Sequence, residues 1–216
     1  MWSNRLFKTN AKAVLHARLL PILGVNLLAL LVTAMGGAVV FRSHMLNELV
    51  GIAFTVFVGS VIPVGLCRYM MESRIGAPPV QTLFSVFKCG YTNVVLVQLL
   101  VALKITLGYL LIVPGIYWQL SYVPVPYLLA ENPQMQVGRA MELSSALMKG
   151  EKLRLFGLYV SFLGWSLLVL LTCGVAALYA TPYINAVKAE FYAAMRAKAF
   201  ACGLSDETEL GGFYSY

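Results

Sequence analysis

Six apolar stretches alternate along this sequence with clusters of Lys and Arg, and that alternation limits the fold more than any other feature. The stretches cover residues 19–41, 49–70, 91–113, 116–130, 155–171 and about 175–195. A helix crosses the hydrocarbon core with about 20 residues. The chain is therefore expected to cross about six times; the fourth stretch, short and with Pro124 and Pro126 inside it, is counted as a crossing, with a strongly tilted or re-entrant piece as the alternative. The first is preceded by basic residues, as a secretory signal is. It is longer than the roughly 7–15 residues of a signal core, so it reads as a retained anchor.

Placing the cations on these six segments fixes an orientation. Arg5, Lys8, Lys12 and Arg18 precede the first segment. Arg68, Arg74 and Lys88 join the second to the third, and Arg139, Lys149, Lys152 and Arg154 join the fourth to the fifth. Lys188, Arg196 and Lys198 close the sixth, so 14 of the 16 basic residues share one side. Only Arg42 lies opposite, and Lys104 is inside a segment. The positive-inside rule then sets both termini in the cytoplasm of a bacterial inner membrane. The composition agrees: 60% hydrophobic and 12% charged residues, where soluble domains hold about a quarter charged. The net charge of +7 is expected to face anionic lipid and not nucleic acid.

The cytoplasmic connections carry amphipathic patterns. After Pro79, Val80, Leu83, Phe84 and Phe87 form a helical stripe that Gly90 is placed to end. Asn132-Pro133 reads as a helix start and Gly150 as its stop, with Val137, Ala140, Met141, Leu147 and Met148 on one face. Phe7, Ala11, Val14 and Leu15 suggest a third such helix. These expectations make residues 1–202 one all-α membrane bundle, with short helices in the headgroup plane. Residues 203–216, acidic through Asp206, Glu207 and Glu209, are expected to be a disordered tail.

The second half carries an ordered series: Glu131-Asn132-Pro133, Ser144, Leu147-Met148-Lys149-Gly150, Lys152, Phe156, Ser161-Phe162, Trp165, Thr172, Gly174, Pro182-Tyr183 and Phe191-Tyr192. With the Pro114-Gly115 turn before it, this series resembles the integral membrane family catalogued as domain of unknown function nine-seven-five. The match covers about residues 110–195 well and the first hundred in hydropathy alone. It implies a multi-span bacterial inner-membrane protein and brings no established activity. A looser similarity links the chain to the membrane domain that accompanies some glycerophosphodiester phosphodiesterases. This sequence contains no such catalytic domain, so no enzyme activity is expected from that similarity.

Few residues invite chemistry. Lys104 is an ionisable group well inside an apolar segment, which is costly unless it snorkels, pairs or meets a ligand. With Asn93 on the same helical face, and with Tyr117 and Trp118 nearby in sequence, it marks a candidate ligand site. Snorkelling to the outer interface is the competing reading. Lys188 and Glu190, near the inner end of the last segment, are the candidates for ion coupling, against a plain interfacial ion pair. His16 and His44 fall on opposite sides, and Cys67, Cys89, Cys173 and Cys202 have no paired spacing, so no metal or cofactor is expected. Small residues at Gly24, Gly36, Gly37, Gly59 and Gly65 suit close helix packing or a homodimer face.

The leading expectation is a non-enzymatic membrane protein that handles or transports an amphipathic, lipid-like molecule, with membrane lipids as its surroundings. The alternative is an interaction protein: an immunity or resistance factor against a membrane-active peptide, or a subunit bound to a partner membrane protein. Transport predicts a polar-lined cavity near Lys104.

Overall fold

A computed structural model describes residues 3–35 and 44–213, and every regular element among them is helical. The first two elements are α1 (Asn4–Ala17) and α2 (Leu19–Ala34), which meet at a bend of 98°. Ser3 caps α1 by accepting the Leu6 N–H. Phe7, Ala11 and Leu15 are buried on one face of α1, as the spacing predicts, and Val14 is half-buried. The expected first segment runs on to residue 41, and its part from residue 36 lies outside the described residues.

The second segment forms one apolar helix, Met45–Glu72. Within it, α3 (His44–Phe54) passes through a wide π-turn, Thr55–Gly59, into α4 (Ile62–Glu72). The third is α5 (Tyr91–Tyr109), and the fifth is the apolar run Lys152–Leu171, made of α9 (Lys152–Val160) and α10 (Leu163–Leu171). These three runs are long and apolar enough to cross a membrane, and the bent pair α1–α2 makes a fourth if it counts as one span.

The other two expected segments take different forms. Residues 116–130 divide into α6 (Val113–Tyr122) and α7 (Val125–Glu131), with Pro124 at the break. Proline lacks the N–H that would continue the ladder and clashes with the preceding turn. The last, α11 (Ala177–Ala201), is long enough at 25 residues but carries Lys188, Glu190, Arg196 and Lys198.

Tertiary contacts reshape two of the amphipathic helices. Val80–Phe87 is a 3-10 helix, with Leu83 and Val86 buried on it. In that geometry residues three apart eclipse, which puts Leu83 and Val86 on one buried row; Val80, at the same spacing but at the start of the helix, is exposed, as is Phe87. The helix expected from Asn132 starts later, as α8 (Val137–Leu147). The Asn132 side chain accepts the Gln134 N–H in a local turn, and the Asn93 amide takes the carbonyls of Pro133 and Met135. Backbone acceptors engaged there are lost to a helix.

Residues 203–213, part of the tail expected to be disordered, lie folded against the helices. Leu210 and Phe213 are buried, and Arg139 pairs with Glu209. Acidic, Gly-rich composition argued for a solvated segment, but arginines distant in sequence hold it and two apolar side chains anchor it.

Candidate functional site

Lys104 and Trp118 come together. The Lys104 ammonium lies 5.6 Å from the Trp118 ring centre and 5.4 Å from that of Tyr122. Gly108, one turn on along α5, makes room: a Cβ there would come within 2.5 Å of the Trp118 ring. The amine is therefore satisfied by ring faces, an attraction worth roughly 0.5–2 kcal/mol.

Asn93 and Tyr117 do not join that site. Asn93 stands 11 residues earlier on α5, about 16 Å along the axis at the helical rise, where it ties α5 to the turn before α8. The Lys152 ammonium sits 3.0 Å from the ring centre of Tyr117, linking the start of α9 to the middle of α6.

The two candidates for ion coupling face different neighbours. Lys188 lies over the Tyr159 ring, 5.6 Å from its centre. Glu190 is buried and is gripped by Arg74, whose Nε and Nη2 donate to its two oxygens at 2.6 and 3.3 Å. The Asn10 amide adds a longer contact of 3.4 Å. α1, the turn after α4 and α11 thus meet at one carboxylate.

Beside that carboxylate is a cavity of about 330 Å³. Its polar wall is Asn10, Arg74, Glu190 and Arg196, and its apolar wall includes Phe7, Met71 and Phe200. Arg196 itself lies 2.8 Å from Glu131, a fully buried carboxylate at the end of α7. Sequence reading put Arg74 and Arg196 only among the charges of one face. The signal that points further is Glu131 and Glu190 themselves: carboxylates at the ends of apolar segments must meet cations or stay neutral.

A second cavity, about 320 Å³, opens beside the π-turn. Thr55, Gly59, Ser60, Pro63, Gln98 and Pro126 are among its walls. The Thr55 and Ser60 hydroxyls bond back to carbonyls of their own helix, leaving an apolar surface toward the opening.

Comparison with known families decides the relationship. The model of the family described as a protein of unknown function, DUF975, matches residues 41–199. The chain belongs to this family. No curated protein and no solved structure matches it. Membership of DUF975 extends the resemblance read from residues 110–195 across the second segment and α5. It assigns no activity to Arg74, Glu190 or Lys104.

Proposed function

We propose that this DUF975 chain is a non-enzymatic protein of the bacterial inner membrane that binds an amphipathic molecule with an anionic head. The cavity beneath α1 supports the reading. It joins a polar wall of Asn10, Glu190 and two guanidiniums, Arg74 held by Glu190 and Arg196 by Glu131 behind it, to an apolar wall of Phe7, Met71 and Phe200. An amphiphile needs both surfaces at the depth where headgroup meets hydrocarbon. The 98° bend gives that depth: with α2 along the membrane normal, α1 lies in the headgroup plane and roofs the cavity.

The threading belongs to the same proposal. Both termini face the cytoplasm, the chain crosses an even number of times, and 14 of 16 cations stay inside. The α5–α6 hairpin leaves this count unaltered, because residues 109–115 contain no charge. The Tyr117–Lys152 contact favours a hairpin whose tip stays near the basic face, giving four crossings in place of six.

Native mass spectrometry of the purified protein tests the head preference, using phosphatidylglycerol and phosphatidylcholine of matched chains. Phosphatidylglycerol is expected to be retained at least fivefold better, and Arg74→Gln is expected to remove the difference. Equal retention of both lipids by the unaltered protein would end the proposal.

A further inference from the structure

Below Arg196 the chain does not simply run out. After α11, residues 203–213 double back across the charged end of the bundle and meet arginines from three helices. Arg139 of α8 donates to both oxygens of Glu209 and to the Leu204 carbonyl. Arg196 of α11 donates to the Leu210 carbonyl, and Arg68 of α4 to that of Gly212 at 3.4 Å. Asn132 adds its amide to the Glu209 carbonyl at 3.3 Å. The segment shapes itself for this. Asp206 accepts the Thr208 hydroxyl and the Glu209 N–H, which closes a turn that presents Glu209 and Leu210 together.

What lies beneath is polar and closed off. The Glu131 side chain has no exposed surface, and Arg196 bridges its carboxylate to the Leu210 carbonyl above. Gly212 rests directly on the Glu131 backbone: a Cβ there would fall 2.0 Å from the Glu131 oxygen. Next to Glu131 in the interior, Tyr192 stacks on Tyr127 with ring centres 4.8 Å apart, and the Tyr192 hydroxyl is buried.

We infer that residues 203–213 are a releasable strap that shuts the charged end of the bundle over the Glu131–Arg196 pair. Two features make it releasable and not a further piece of core. It contains no helix of its own, and it is held by arginine contacts, the Asn132 amide, Gly212 resting on Glu131 and two anchoring side chains, Leu210 and Phe213. Segments with so few buried contacts open far below the global unfolding limit. Arg196 also lines the cavity beneath α1, so opening the strap alters one wall of that cavity. The strap does not depend on what fills the cavity.

The test uses the full chain with Cys67, Cys89, Cys173 and Cys202 replaced by Ser and a reporter thiol at the buried Ala130 (Ala130→Cys). Gly212→Val forces the strap off without changing charge. It is expected to raise the maleimide reaction rate of the reporter at least tenfold. Glutamyl endopeptidase cleavage after Glu207 should rise at least fivefold in the same variant. A chain ended after Cys202 should match the Gly212→Val reporter rate while keeping its helicity. An unchanged reporter rate in both variants overturns the inference. So does loss of helicity in the shortened chain, since the segment would then be core and not strap.

Discussion

Arg139 and Glu209, 70 residues apart, meet through two hydrogen bonds of 2.7 and 2.9 Å, from Nε and Nη2 to the two carboxylate oxygens. The pair is partly exposed, at 37% and 22% of the side chains, so solvent screens it. Its worth is set at about 1 kcal/mol, the upper end for an exposed ion pair. That is about a fivefold change in the open population of the C-terminal segment.

Acid should loosen this segment. The Arg139 guanidinium, then the Ser205 hydroxyl, hold the Glu209 carboxyl below its usual range against burial and the nearby Asp206. Asp206 is lowered in the same direction, chiefly by the Thr208 hydroxyl. Carboxyls lowered in the folded state stabilise it fully above the ordinary carboxylate range, and the contribution is lost as pH falls through the lowered values. A nitroxide at Glu207→Cys should therefore report a mobile fraction that grows only in acid, with Glu209→Gln mobile at neutral pH too. A spectrum independent of pH would contradict the account.

Glycine tolerance should divide sharply. At Gly65 a Cβ would lie 1.8 Å from the Leu83 carbonyl oxygen, a backbone atom that cannot rotate away. Gly65→Ala must separate α4 from the 3-10 helix, and about 3 kcal/mol is expected, at the upper end for overpacking. Gly24 has nothing within 4 Å, so Gly24→Ala should gain roughly 0.5–1 kcal/mol from the helix interior alone. Thermal unfolding in detergent separates them by sign.

That contrast also marks what the sequence made legible. Gly24, Gly59 and Gly65 looked alike as small residues in apolar runs, and only Gly65 is pressed by a neighbouring backbone. Periodicity found the buried face of α1 and the apolar helix around the π-turn, because local spacing alone decides those. It missed the late start of α8, where Asn93 competes for carbonyls 40 and 42 residues away. It paired Lys104 with Trp118 but placed Asn93 and Tyr117 beside them, since spacing along a helix says nothing about how the next helix folds back. The Arg74–Glu190 grip spans 116 residues and has no local signature.

That grip should show the asymmetry of buried ion pairs. Glu190 keeps 7% of its side-chain exposure and Arg74 26%. Removing the arginine alone strands a buried carboxylate, which costs roughly 3–5 kcal/mol in a fully buried pair. Partial exposure of Arg74 reduces this to about 2 kcal/mol. Arg74→Gln should therefore lower stability more than Arg74→Gln with Glu190→Gln, which leaves two amides able to bond. If the double variant is the less stable of the two, the carboxylate was never dependent on Arg74.

The contact between Lys152 and Tyr117 bears on how the chain meets the membrane. Lys152 sits among Lys149, Glu151 and Arg154, charges that hold this stretch in water or headgroups. Tyr117 lies three residues from Pro114, about 4.5 Å along the helix axis. A lysine side chain is too short to bridge hydrocarbon about 30 Å thick, so the proposed threading puts the α5–α6 turn and Lys149 on one face of the membrane. In a chain whose only thiol is Leu111→Cys, an impermeant maleimide should react from inverted vesicles and not from intact cells, as it does with Lys149→Cys. Labelling of Leu111→Cys from outside alone would restore two full crossings by α5 and the α6–α7 pair, and would require the Lys152–Tyr117 contact to be absent in the membrane.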